Sequence, residues 1–249
     1  MSYLGTIDWV HENQGRMRWK DKMRTLLDAV LLQASHSLRI SPHLKVRISN
    51  PTKISIPDSD ISKHAVALCR DAGEEWIFYH SMRAYVWARL LTDSSRKFDD
   101  EALFVALMLH DMGLAKKHSL PPGELGCFTQ VGAQMAHELG QQHHWSQDRV
   151  HLTANAITLH LNVIVHDRHG IEAQMVRTGT GADVIGSRID ELPTSVVEDT
   201  LRDYPRVNFK GNLMMAFEEE LMHRPCCRIS FMQKYLGFKK RVHHSCFAD

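Results

Sequence analysis

The chain has little that would tie it to a membrane, a nucleic acid or an oxidising compartment. No apolar stretch approaches the ~18 residues of a membrane span. The five cysteines among 249 residues are an odd number, scattered at 69, 127, 226, 227 and 246, with no Cys-x-x-Cys pair. Neither a disulfide framework nor a zinc ribbon is supported, and a reducing, cytoplasmic setting is expected. The opening Met1-Ser2-Tyr3-Leu4-Gly5 lacks the basic segment and apolar core of a secretory signal. Charge of one sign is missing too: 30 Lys and Arg stand against 29 Asp and Glu, in no long block. That balance gives no electrostatic case for nucleic acid or a membrane surface, and a small-molecule partner is expected instead. The one small basic cluster, Lys239-Lys240-Arg241 with His243-His244, is expected to be a solvated tail. There is no Gly-x-Ser-x-Gly nucleophile elbow and no Gly-x-x-x-x-Gly-Lys-Ser/Thr phosphate loop. Gly179-Thr180-Gly181 is too short a glycine pattern to replace one. No internal repeat or low-complexity linker divides the chain.

What is present is helix after helix. At 43% hydrophobic, the chain can bury one sizeable core. Arg16 to Gln33 is amphipathic, with Met23, Leu26, Leu27, Val30 and Leu31 on one side. Ser41 to Pro57 is the one stretch with strand character, around Val46-Arg47-Ile48, and would serve equally as an extended connection. Pro57 to Asp60 offers caps for a helix over Ile61 to Ala72. Glu74 to Thr92 follows, then a helix capped by Asp99 or Asp100 and closed by Gly113. Ala115 to Phe128 reads as a loop. Thr129 to His144, Gln147 to Leu161, Glu172 to Thr178, Thr194 to Pro205, Phe209 to His223 and Ser230 to Tyr235 complete the helices. Gly179-Thr180-Gly181 is expected to break the helix over Glu172 to Thr178 before Ala182 to Gly186. The expected organisation is all-α, with an N-terminal helical extension over 1–54, a helical bundle over 55–240 and a tail over 241–249.

Two polar intrusions stand out against this apolar background. His110-Asp111 ends the run Ala102 to Leu109, and His80 lies on the stripe Ile77, His80, Ala84, Trp87, Leu91. The chain has 17 histidines, so their number decides nothing and their placement does. His110 shares a helix side with Leu103 and Ala106 or Leu107, so both histidines can point into one core from facing helices. Burying an imidazole or a carboxylate unpaired costs several kcal/mol. A divalent cation would satisfy all three groups at once. The residues therefore point to a metal-dependent enzyme.

This arrangement resembles the HD-domain superfamily of metal-dependent hydrolases, whose pattern is a His, a later His-Asp pair and a distant Asp. The matching words are Tyr79-His80-Ser81-Met82-Arg83, Leu109-His110-Asp111-Met112-Gly113, and Asp183 within Gly179 to Gly186. The chain is more closely similar to the branch resembling cyanamide hydratase. That branch has an Ile-Pro-Asp segment, as at Ile56-Pro57-Asp58, and an Ala-Ile-x-Leu-His motif, as at Ala156 to His160. It also has Tyr-Pro-Arg followed by Phe-Lys, as at Tyr204-Pro205-Arg206 and Phe209-Lys210. The likeness runs over roughly residues 55 to 238.

The resemblance implies an HD-domain bundle and metal ligands His80, His110, Asp111 and Asp183. Without it, Asp183 near its glycines would read as a turn residue. Two imidazoles and two carboxylates suit zinc first, with iron or manganese as alternatives. Branches with two metals carry a further His where this chain has Phe128, which argues for one cation here. His160, at another position those branches use, is expected to contact substrate or move protons. Arg83, three residues past His80, is read either as a contact for an anionic substrate group or as an ion pair with Asp111 or another acid. Lys116 and Lys117 are read as a solvated loop. His143, His144 and His151 are read as surface residues, and Cys226-Cys227 is left without a role.

The implied chemistry is attack by metal-activated water on a small electrophile, with Asp111 or Asp183 relaying a proton. Cyanamide or nitrile-like C≡N hydration is the nearest resemblance. Hydrolysis of a phosphomonoester or nucleotide is the alternative, which the scarcity of clustered Arg or Lys near the motifs disfavours. A contrasting expectation is a non-catalytic module in which metal braces the bundle and the N-terminal helix binds a partner. Homo-oligomerisation is left open.

Overall fold

A computed structural model describes residues 2–37, 54–93 and 95–248. These residues form twelve α-helices and no strand, as the all-α expectation requires. The helices are α1 (Ile7–Asn13), α2 (Trp19–Ser37), α3 (Asp60–Asp71), α4 (Glu75–Leu90), α5 (Asp100–Leu109) and α6 (Phe128–Gln142). They continue with α7 (Gln147–Leu159), α8 (Ile171–Ile185), α9 (Thr194–Asp203), α10 (Phe209–His223), α11 (Arg228–Tyr235) and α12 (Phe238–His243). Of the stretch 41–57, expected to be extended, residues 41–53 lie outside the described residues and 54–57 hold no regular structure. Helix starts follow local chemistry: Ser59, Asp99 and Ser146 each accept a hydrogen bond from an amide three residues on, at 3.4, 3.0 and 3.3 Å.

Helix α5 is the axis of the fold. It has no polar face after its first turn, and every residue from Ala102 to Leu109 is fully buried. A helix apolar all round must be surrounded, and α3, α4, α6, α7 and α8 pack against it. Burying each large side chain there contributes about 1.5–3 kcal/mol. The site residues sit at the C-terminal end of this axis.

Helix α8 runs unbroken through Gly179 and Gly181, against the expected break. Packing overrides propensity here. A Cβ on Gly179 would stand 2.1 Å from the Ala84 carbonyl oxygen and 2.9 Å from the Ala88 Cβ. Glycine lets α8 press onto the small residues of α4, and that contact holds the helix together. Asp183 is therefore a helical residue, not a turn residue.

Three further differences from expectation have physical causes. Helix α1 was not anticipated, because seven residues are too short for a periodic signal. It is held by Asn155, whose Oδ1 accepts from the Ile7 amide at 2.9 Å, and by burial of Trp9 and Val10. In α2 the apolar stripe faces outward: Met23, Leu27, Val30 and Leu31 are 57, 58, 63 and 52% exposed, while Thr25 and Asp28 face the body. The basic C-terminal segment is not a free tail. Val242 and Phe247 are buried, and Lys210 Nζ donates to the Phe247 carbonyl at 2.6 Å. Lys239 and Lys240 remain exposed.

Gly179→Ala should lower stability by about 1–3 kcal/mol through overpacking of the α4–α8 crossing. Urea denaturation followed by circular dichroism reads this directly; an unchanged midpoint would mean the two helices are not held that close.

Candidate metal centre

Helix α5 stops at Leu109. His110 keeps helical torsions of −60° and −34°, and Asp111 departs to −106° and 10° before a short 3-10 turn. That break lets consecutive side chains face the same neighbour on α4. His80 Nε2 lies 3.1 Å from His110 Nε2 and 3.5 Å from Asp111 Oδ2, which is itself 3.3 Å from His110 Nε2. One donor atom from each of the three lies within 4.8 Å of the others, and all three residues are buried. His160 stands at the rim, with its Nε2 3.6 Å from Asp111 Oδ1.

The outer nitrogens settle the tautomers. His110 Nδ1 donates to the Leu107 carbonyl at 2.7 Å, and His160 Nδ1 donates to the Ile157 carbonyl at 2.6 Å. Each histidine ends its helix and satisfies a carbonyl left over at that terminus. His80 Nδ1 donates to Asp183 Oδ2 at 2.7 Å. With every Nδ1 carrying its proton outward, each neutral ring turns a bare Nε2 lone pair inward. Those lone pairs meet a carboxylate, and Asp111 Oδ1 is buried with no hydrogen-bond partner. Acceptors facing acceptors at buried positions repel unless something positive lies between them. The residues present fit a divalent cation on this ground.

Titration follows the same logic. Burial pushes His80 down, against the pull of Asp183. Burial and the neighbouring His110 drive His160 down to about 3. Burial would lower His110 as well, but the Asp111 carboxylate and the Leu107 carbonyl outweigh it and raise the group. Burial would raise Asp111, yet His110 and His80 hold it far below the usual carboxylate range. The cluster favours positive charge, whether as a proton or as a metal.

Asp183, expected as a fourth ligand, stands on the far side of His80. Besides the His80 proton it accepts from Arg83 Nε at 2.7 Å, Arg83 Nη2 at 2.9 Å and Trp87 Nε1 at 3.1 Å. A carboxylate offers about four acceptor positions, and these four donors take them. Burial would raise Asp183, but Arg83 and His80 hold it well below the ordinary carboxylate value. At this position it fixes the tautomer of His80 and raises the basicity of the ring.

Arg83 makes the ion pair that was one of its two readings, with Asp183 as the acid. It is fully buried and its remaining nitrogen donates to the carbonyls of Tyr204 and Pro205 at 3.1 and 2.8 Å. Arg83 is not among the residues that line the cavity described below. Phe128 is buried with its ring 5.9 Å from that of His160 and brings no donor atom. Lys117 donates to the Asp71 carbonyl at 3.1 Å, away from the cluster.

The cluster opens onto a cavity of about 280 Å³. His80, His110, Asp111 and His160 form one end of it. Arg177, Arg188 and Arg241 line the wall, which corrects the expectation of few basic groups near the motifs. They are separated in sequence and converge only through the packing of α8 and α12. Sequence reasoning also missed Trp87, Arg206 and Phe209 as parts of the site. Arg206 Nη1 donates to the Asp183 carbonyl at 3.2 Å, and the Phe209 ring stacks on His80 at 4.8 Å. The Tyr-Pro-Arg and Phe-Lys words were the available signal; they encode the backing of His80 and Asp183.

Two substitutions separate these roles. His110→Ala should abolish metal content, read by elemental analysis of the purified chain, and retained stoichiometric metal would exclude the residue as a ligand. Asp183→Asn should destabilise the fold by about 3–5 kcal/mol, because it strands the buried Arg83 charge. A wild-type unfolding midpoint would show that Asp183 is not what holds Arg83 in the core.

The comparisons agree with this geometry. No curated protein matches the chain. The family model described as HD domain matches residues 77–191, a span that holds His80, His110, Asp111 and Asp183. Over that span the chain is similar to the HD domain.

Proposed function

We propose that the chain is a water-activating metalloenzyme whose cation is held by His80, His110 and Asp111. The observation that carries this reading is the buried meeting of two bare imidazole nitrogens and a carboxylate at the end of an open cavity. A cation that only braced a bundle would sit in a closed shell. Here the donor atoms border space for a reactant. A divalent cation supplies acidity to a water and polarises the electrophile.

The protein's own groups supply the rest. Asp183 holds His80 in the tautomer that presents Nε2, and the Leu107 carbonyl does the same for His110. His160 is neutral at pH 7, since its proton affinity is pushed down to about 3. Its Nε2 accepts a hydrogen bond from water and orients it toward a substrate carbon or phosphorus. Asp111 Oδ1, with no donor of its own, accepts a second hydrogen bond from that water and fixes its orientation. The apolar side of the cavity, including Leu213 and Phe217, excludes competing solvent.

Hydration of a C≡N group is the finer reading that the Ile56-Pro57-Asp58, Ala156–His160 and Tyr204–Lys210 words support. Since a water takes about 10–15 Å³ of such space, a cavity of about 280 Å³ exceeds what cyanamide needs. The preferred substrate in this reading is a larger nitrile-like or amide-like electrophile. Phosphomonoester hydrolysis is the second reading, favoured by the arginines on the cavity wall.

A substrate screen of cyanamide, short and longer nitriles, amides, phosphomonoesters and nucleotides should find one class turned over by wild type and untouched by His110→Ala. His160→Gln should keep its metal and lose about 10²–10⁴-fold in kcat, the usual worth of a positioned acid–base group. Loss of metal in that variant would make His160 a ligand instead.

A further inference from the structure

The geometry points to an anion-binding subsite in the cavity wall, formed by Arg177 and Arg241 beside Gly181, that takes the carboxylate or phosphate of a substrate whose electrophile lies at the His–Asp cluster. This rests on the functional reading above and adds the substrate's second group to it.

Three observations converge. The first is the charge of the wall. Among the described residues the cavity is lined by three arginines, and its one carboxylate is Asp111, committed to the cluster. Arg188 is neutralised by Glu191, to which it donates twice at 2.8 Å. Arg177 has no carboxylate partner among the described residues. Nη2 donates to the Val163 carbonyl at 2.6 Å, which leaves most of its five N–H groups without a protein acceptor. Burial and the nearby Arg188 depress its proton affinity. Arg241 has no side-chain partner among the described residues and lines the cavity from α12. Two cations brought to a shared space without an acid are costly when empty and satisfied by an anion.

The second is the spacing along α8. Arg177, Thr180, Gly181 and Val184 fall at i, i+3, i+4 and i+7 on one face of α8, which lines the cavity, and Arg188 follows beyond the end of the helix. Asp183 lies off this face and its side chain meets His80. A ligand lying along this face spans from the cluster to the arginines.

The third is Gly181 itself. A glycine inside a helix is unfavourable relative to alanine, and Gly179 is explained by its contact with α4. Gly181 is not: a Cβ there would meet nothing within 4 Å. Its missing side chain opens onto the cavity, so the space it leaves belongs to a ligand. The apolar residues Leu213, Phe217, Met232 and Leu236 line the same space. An elongated molecule with an apolar body and a terminal anion matches these features.

The test uses the full-length, metal-containing protein and three probes with one tail and different heads: hexanoate, hexyl phosphate and hexanol. Isothermal titration calorimetry should show one or both anionic probes binding at least tenfold more tightly than hexanol. Whichever anion binds tightly names the group. Arg241→Met and Arg177→Met should each weaken that anion about tenfold and leave hexanol unchanged. Arg241 is exposed and its variant keeps the test alive if Arg177→Met fails to fold. Gly181→Leu should fold normally, since nothing obstructs it, and weaken all three probes by filling the cavity. Metal content stays at wild-type level in all of these variants, so failure here is separable from failure of the metal assignment. Equal affinity for the three probes overturns the subsite. So does anion binding that disappears in His110→Ala but survives both arginine variants, because the anion would then sit at the cluster.

Discussion

Bare acceptors facing one another without a donor between them are the constraint around which this chain is arranged. His80, His110 and Asp111 are brought together as buried side chains at the inner end of the cavity. Such an arrangement is unstable as a set of neutral rings and a carboxylate, and stable around a cation. Its persistence requires that every outward-facing nitrogen be tied down. Leu107, Ile157 and Asp183 do this with short hydrogen bonds of 2.6 to 2.7 Å. The tautomers, and with them the coordinating face of each ring, are consequences of those bonds.

The same demand propagates outward. Asp183 can orient His80 only as a charged carboxylate, so it needs Arg83 and Trp87 around it. Arg83 in turn needs the carbonyls of Tyr204 and Pro205, which brings the segment before α10 onto the site. Phe209 follows and stacks on His80, while Phe247 closes the far end of the chain beneath Arg206, whose guanidinium lies 4.6 Å from its ring. The close α4–α8 crossing at Gly179 is what sets Asp183 within reach of His80. Fold and site are one network because each buried charge is satisfied by the next layer.

Much of this was legible in the sequence. An apolar run interrupted by His110-Asp111, and a second stripe interrupted by His80, announce facing helices with polar groups in a core. The helical reading of the described residues follows from periodicity and from caps such as Ser59, Asp99 and Ser146. The position of Asp183 was not legible at this resolution of reasoning. The family resemblance implies that it belongs near the histidines but not on which side of His80 it stands, since that depends on which donors saturate it. The arginines of the cavity wall were hidden for a related reason: Arg177 and Arg241 are far apart along the chain, and local charge counts do not see convergence. Glycine misled in both directions. Gly179 and Gly181 read as a break, whereas one is a close contact between helices and the other an open space. The outward stripe of α2 and the docked Phe247 show that amphipathicity marks a face without saying what covers it.

The central claim is that a cation lies between His80, His110 and Asp111, with Asp183 behind His80. Anomalous diffraction from crystals of the full-length chain, collected above and below the absorption edge of the bound metal, tests it most directly. The account predicts one anomalous peak per chain, bounded by the two Nε2 atoms and an Asp111 oxygen, with the Asp183 oxygens still held by Arg83 and Trp87. A peak elsewhere, two peaks, or a peak ligated by Asp183 would contradict it.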